Sequence, residues 1–253
     1  MTVGLFVPCY IDQLYPDVAR ATLDLLERMG YEVIIPEGQT CCGQPMANSG
    51  YERITAPVAD RMARLFVDCD WVVAPSGSCV HHIRDHYDRF DPTPALEHLR
   101  TRTVELCEFL SRKDAPALPG THFPYKTGLH NSCHGVRGLG LSTPSERMEP
   151  HRSLPEQLLS RVTGIELVPL GRPDECCGFG GTFAVKQACL SSVMGRDRLR
   201  DHAENGVDVI TGTDTSCLMH LEGLARTDRL PLRFLHIAQI LNHRAEPVQP
   251  GVL

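Results

Sequence analysis

Two dipeptides of adjacent cysteines, each followed by glycine, carry the most visible chemistry of this chain: Cys41-Cys42-Gly43 and Cys176-Cys177-Gly178. Each has a lone cysteine upstream, Cys9 and Cys133, and another downstream, Cys79 and Cys217. Eight of the 11 cysteines therefore fall into two matching sets of four. Neighbouring cysteines make poor disulfides, because the bond prefers Cα atoms about 5.5 Å apart and consecutive residues sit at about 3.8 Å. Four thiolates per set satisfy the ligation of an iron–sulfur cluster, and they also satisfy tetrahedral zinc. Zinc sites usually draw on closely spaced Cys-x-x-Cys knuckles, which neither set contains, so the spacing favours clusters while leaving zinc open. The glycine after each pair is expected to supply an unusual φ and let backbone approach an inorganic core.

The elements that must position these thiols repeat in the same order. Residues 3–8 read as a buried strand ending at Cys9, followed by an amphipathic helix from Asp17 to Met29 that stops at Gly30. A strand over 31–35 leads to Cys41-Cys42-Gly43, a helix over 50–69 follows, and a strand over 71–74 delivers Ser76 and Cys79. The pattern over 103–110 predicts a closing helix. The second half replays this with a strand at 126–130 before Cys133, a helix over 153–162, and residues 166–170 before Cys176-Cys177-Gly178. A helix over 185–205, a strand at 207–211 that delivers Asp214 and Cys217, and a closing helix over 234–241 complete it. The segment 116–120, small and proline-rich, reads as a linker between domains 1–115 and 121–253. Alternating strands and helices predict an α/β fold in two tandem units, each a mostly parallel sheet flanked by helices and related by an internal pseudo-twofold. Every cysteine set follows a strand, where loops at the carboxyl ends of parallel strands build binding sites. The alternative is a single larger α/β domain with coincidental cysteines.

Composition excludes several classes. With 253 residues, 42% apolar and 22% charged, the chain has the make-up of a globular protein. The net charge of −6, with no lysine or arginine block, argues against a nucleic-acid partner. No apolar run approaches the length of a membrane span. The N-terminus lacks the features of a signal peptide, which predicts a cytoplasmic protein whose clustered thiols are metal or redox sites. No P-loop, dinucleotide fingerprint or Ser–His–Asp order is visible, so no flavin or nicotinamide site is expected.

The order of upstream cysteine, Cys-Cys-Gly and downstream cysteine, met twice, resembles the CCG cysteine-rich domain family. That family includes the cysteine-rich component of heterodisulfide reductase and the iron–sulfur subunits of glycolate and glycerol-3-phosphate dehydrogenases. Gly38–Pro45, Cys176–Phe183 and Thr213–His220 are most similar to its lactate-utilisation branch, and the resemblance covers essentially the whole chain. It implies iron–sulfur clusters, [4Fe–4S] in type and one per domain, held by Cys9, Cys41, Cys42, Cys79 and by Cys133, Cys176, Cys177, Cys217. It also implies electron transfer in a complex oxidising L-lactate to pyruvate, an iron–sulfur L-lactate dehydrogenase. Its partners would be a ferredoxin-like iron–sulfur protein and a third component. A catalytic subunit resembling heterodisulfide reductase or acting on 2-hydroxy acids, and a structural zinc module, are the alternatives.

The family pattern ends each domain in Cys-x-x-Cys, but here Ser76 and Asp214 stand at the first of those positions. Their oxygens are accessory-ligand candidates or caps of the helices that follow. His82 and His220 lie three residues after Cys79 and Cys217, on the same helical face, as accessory ligands, proton-transfer groups or loop hydrogen-bonders. His134, beside Cys133, invites the same alternatives. The run Gly178–Gly181 offers backbone N–H groups to an anion or room for a cluster. Cys69, Cys107 and Cys189 fall outside the repeat and read as buried small hydrophobes.

Overall fold

The computed structural model describes residues 1–118 and 120–244. Pro119 of the expected linker, and the end of the second domain from 245 to 253, lie outside the described residues. In the first half β1 (Thr2–Leu5), β2 (Glu32–Ile34), β3 (Trp71–Ala74) and β4 (Thr103–Glu105) form one sheet. In the second half β5 (Lys126–His130), β6 (Glu166–Leu167), β7 (Val209–Gly212) and β8 (Arg233–His236) form another. The orders are β2-β1-β3-β4 and β6-β5-β7-β8, with every neighbouring pair parallel. The expected α/β fold of two tandem parallel sheets flanked by helices is the fold observed.

The ladder registers make the halves superimposable residue by residue. Val3 pairs with Val33 and Trp71, whereas Thr127 pairs with Leu167 and Val209. Val73 pairs with Val104, and Thr211 with Leu235. Counting outward from these pairs matches Phe6 with His130, Cys9 with Cys133, Ser76 with Asp214 and Glu105 with His236.

The two closing segments differ from the helical reading of 103–110 and 234–241. Their first residues are edge strands, and only Leu106–Leu110 and Ile237–Leu241 are helical. Val104, Leu106, Phe109 and Leu110 fit helical spacing, but an unpaired edge beside β3 offers Thr103–Glu105 a ladder of hydrogen bonds that local pattern does not reveal. Two long helices are also interrupted: 50–69 becomes a 3₁₀ turn at Glu52–Thr55 followed by Ala56–Leu65, and 185–205 becomes Thr182–Lys186 and Ala188–Glu204.

The largest apolar core belongs to neither half alone. Val3, Leu25, Leu26, Phe109 and Leu110 pack in one cluster with Leu129, Leu158, Leu159, Ile237 and Leu241. The closing helix of each half packs on the first long helix of the other: Ile237–Leu241 against Pro16–Arg28, and Leu106–Leu110 against Leu154–Leu159. This reciprocal exchange is the signature of an isologous interface, here within one chain. Each buried aliphatic or aromatic side chain contributes about 1.5–3 kcal/mol, so the shared core binds the halves strongly. Separate clusters around Phe6, Phe66 and Met62, and around Leu199, Ile210 and Leu221, back the outer face of each sheet.

Candidate metal centre

In a sheet of order 2-1-3-4 the chain turns opposite ways on leaving β1 and β3, and the crevice between those carboxyl ends is where such folds bind ligands. Cys9 begins the helix directly after β1, and Cys79 lies in the first turn of the helix Gly77–His86 after β3. Cys41 and Cys42 sit in the loop after β2. The second half repeats the arrangement with Cys133, Cys217 and Cys176-Cys177. Because the halves face each other, the two crevices merge. All eight cysteines line one cleft with a cavity volume of about 100 Å³.

Within each set the sulfurs touch in sequence. Cys42 Sγ is 3.4 Å from Cys79 Sγ. Cys41 accepts from the thiols of Cys42 and Cys9, with Gly43 N–H donating to its sulfur at 3.4 Å. These donors hold the Cys41 thiol far below its ordinary range, while Cys9 and Cys42 are pushed up chiefly by hydrogen bonding to it. Cys176 repeats the pattern, accepting from Cys133 and Cys177 and from Gly178 N–H at 3.4 Å, and is likewise lowered. In both sets the first two cysteines are half-buried and the last two buried. Four neighbouring soft donors in each set fit a metal centre, which would displace their thiol protons.

The loops are braced from behind. Tyr87 Oη, buried, donates to Cys42 O at 2.8 Å. Asp201, on the helix Ala188–Glu204, accepts from the backbone of Gly171 and Arg172 at 2.9 Å each and from buried Arg198 at 2.7 Å, fixing the approach to Cys176. Gly43 and Gly178 have φ of +86° and +84°, as expected. The space their missing side chains leave is filled by the chain itself. A Cβ on Gly178 would meet Ser191 O at 2.7 Å, and one on Gly43 would meet Thr55 Cβ at 3.0 Å. Positive φ and close packing of the following segments both require glycine at these positions. In the run after Cys177, Gly178 and Phe179 turn their N–H groups to Cys176 and Cys177 sulfurs.

Ser76 and Asp214 meet each other. They form an isolated antiparallel bridge on the pseudo-twofold. Asp214 Oδ1 accepts from Ser76 Oγ at 3.0 Å and Ser78 Oγ at 2.7 Å, and Ser78 N–H lies 3.1 Å from both carboxylate oxygens. Ser76 also caps its own helix by accepting from Cys79 N–H at 3.4 Å. Asp214 caps no N–H of its own helix; its charge lies at the N-terminus of the other half's helix. Tyr10 and Phe179 add an edge-to-face contact across the cleft at 5.9 Å.

The histidines divide. His82 is buried and stacked on His86 at 5.2 Å, and burial is the main cause that lowers its pKa to about 4. His220 turns its Nε2 to Ser191 O at 3.3 Å. His134 packs against His81 of the other half at 5.4 Å. His134 Nδ1 lies 3.9 Å from Cys133 Sγ; the histidine grouped with two sulfurs at once is His130, at the end of β5. One of its nitrogens and the sulfurs of Cys177 and Cys217 lie within 4.8 Å of one another, the one such group among the described residues. Sequence reasoning does not single out His130; aligning the halves on Cys9 and Cys133 sets it opposite Phe6, and that swap is the available signal. Of the cysteines outside the repeat, Cys69 and Cys107 are buried as expected, though Cys69 lies past its helix. Cys189 is exposed, on the solvent face of Ala188–Glu204 beside exposed Leu190 and Val193. Helical periodicity does not distinguish that face.

Among the described residues no helix is long and apolar enough to cross a membrane. The cysteine-rich domain family CCG matches residues 3–84 and 127–222, one stretch in each half. The chain is 40% identical over 248 residues to lactate utilization protein A of Geobacillus thermodenitrificans, covering 96% of this chain and all of that one. It is 39% identical over 249 residues to lactate utilization protein A of Bacillus subtilis, with 96% and 100% covered. Among solved structures, a hypothetical protein from Helicobacter pylori shares the fold with a TM-score of 0.60 at 11% identity, over 95% of this chain and 48% of that one.

Proposed function

The chain belongs to the cysteine-rich CCG domain family, and from that premise we propose that it is an iron–sulfur electron-transfer subunit of a cytoplasmic complex oxidising L-lactate to pyruvate. One observation carries the reading: two matched sets of four thiols line a single cleft between two halves fused by a common core. The full-length likeness to lactate utilization proteins A supports lactate as the substrate of the system. Cys9, Cys41, Cys42 and Cys79 would hold one centre and Cys133, Cys176, Cys177 and Cys217 the other. Centres of this kind accept and release single electrons. The residues around them contribute placement: backbone N–H groups of Gly43, Gly178 and Phe179 point at sulfurs, and hydrogen bonds of that kind tune a centre's potential.

Oxidation of L-lactate releases two electrons and two protons. Partners, one of them ferredoxin-like, would supply or accept the electrons. Anaerobic purification with iron, sulfide and zinc determination tests the proposal. Iron and acid-labile sulfide in equal amounts, together with L-lactate oxidation that requires the partner subunits, is the expected result. Stoichiometric zinc without sulfide refutes it, and lactate turnover by this chain alone refutes the carrier role.

A further inference from the structure

The two cysteine sets are alike in sulfur but not in what backs them. At the end of β1 the residue three places before Cys9 is Phe6, fully buried in the first half's outer cluster. The matching residue at the end of β5, three places before Cys133, is His130. His130 is 2% exposed, and neither of its ring nitrogens has a hydrogen-bond partner. A buried imidazole normally finds a partner, because an unsatisfied buried polar atom costs about 1–3 kcal/mol. Here one nitrogen lies within 4.8 Å of both Cys177 and Cys217 sulfurs. Its backbone is fixed by pairing with Gly212 of β7, where an added Cβ would meet His130 O at 2.9 Å. His130 is thus an orphaned nitrogen donor, held on a rigid strand and placed beside two soft ligands.

We propose that His130 is a nitrogen ligand of the second-half centre, which is therefore a mixed thiolate–imidazole site, whereas the first-half centre with Phe6 is all-thiolate. The inference rests on the proposed iron–sulfur function. A neutral imidazole in place of, or beside, an anionic thiolate leaves the centre less negatively charged and raises its potential, as His ligation does in [2Fe–2S] centres. The two centres then differ in potential, and electrons pass preferentially toward the second half.

The full chain, reconstituted anaerobically with iron and sulfide, is compared with His130→Phe, which installs the first half's own residue, and with His130→Asn. Pulsed electron paramagnetic resonance on the reduced proteins reads nitrogen coupling to the centre, and redox titration reads two potentials. Wild type is expected to show a strongly coupled ring nitrogen. That coupling is lost in both variants, and the higher of the two potentials falls toward the lower. Circular dichroism and cluster content confirm that at least one variant is folded and loaded. Wild-type protein that takes up iron and sulfide but shows no strongly coupled nitrogen, or whose coupling persists in a folded variant, overturns the assignment and leaves the function standing. Wild-type protein that takes up neither overturns both.

Discussion

Replacing Asp214 by alanine is expected to loosen the junction between the halves, by an amount the geometry sets. The carboxylate is 2% exposed and accepts from Ser76 Oγ, Ser78 Oγ and Ser78 N–H at 2.7–3.1 Å. Ser78 is half-buried, so its hydroxyl can turn to water. The Ser78 amide is then left without its acceptor, at about 1–3 kcal/mol, whereas the buried Ser76 hydroxyl keeps Ser78 Oγ at 3.3 Å. Loss of a negative charge at the N-terminus of Gly77–His86 adds about 0.3–1 kcal/mol. D214A should therefore lose about 1.5–4 kcal/mol, which for a chain of this size lowers Tm by about 3–15 °C. D214N keeps one acceptor oxygen and should lose only about 1 kcal/mol. The assay is thermal and urea unfolding of reduced, metal-free protein, so that altered metal binding does not contribute. Paired with S76A, the double-mutant cycle should show a coupling of about 1 kcal/mol or more. D214A within about 1 kcal/mol of wild type, or no coupling to Ser76, would refute the clasp. A collapse of iron content in a folded D214N variant would instead make Asp214 a ligand.

Alanine at Gly178 should destabilise more than alanine at Gly43, by about 1–3 kcal/mol in each case, because its Cβ meets backbone at 2.7 Å and not a side chain at 3.0 Å; paired thermal melts check the order. Alanine at Cys41, Cys42, Cys176 or Cys177 should remove iron and sulfide from its set, whereas C69A should keep both and lose only packing, as read by metal analysis and melting. Burial, the main cause, raises Glu105 from 4.5 to about 8, so the folded state holds a proton that the unfolded chain has released between those values. Stability should fall as pH rises through that window, and urea titrations across it should show E105Q gaining on wild type toward the alkaline end. In the loaded protein Cys189, exposed and outside both sets, should be the first cysteine alkylated by iodoacetamide, as located by peptide mapping.

The fold and the gathering of the eight cysteines into one cleft were legible where local signals repeat. Strand, turn and cysteine recur in the same order in both halves, and the loops carrying the thiols fall at carboxyl ends of parallel strands as that order requires. What was not legible depends on contacts between segments far apart in the chain. Thr103–Glu105 and Arg233–His236 become strands only because β3 and β7 present an open edge to them. The roles of Ser76 and Asp214 are set by each other across 138 residues, and a cap reading holds for Ser76 alone. The glycines after the cysteine pairs have the expected φ, yet their space is taken by Thr55 and Ser191, which pattern does not bring near.

Duplication places equal sulfur sets on either side of an axis, and several positions at which the halves differ lie at the strand ends beside it. Ser76 faces Asp214 there, Glu105 matches His236, and Phe6 matches His130. Glu105 and His236 each accept N–H groups at the start of a closing helix, one with a carboxyl oxygen and the other with an imidazole. The shared core prevents the halves from moving as independent bodies, so the spacing of the two sets is a fixed property of the fold. Two identical centres at a fixed spacing would have no preferred direction for an electron. Asymmetry between them must come from the residues that back the sulfurs. Among the matched strand-end positions, His130 is the one that sets a buried, unpartnered donor against the thiols of one half alone. Under the proposed function, the exchange of Phe6 for His130 would be the point at which a duplicated scaffold becomes a directional one.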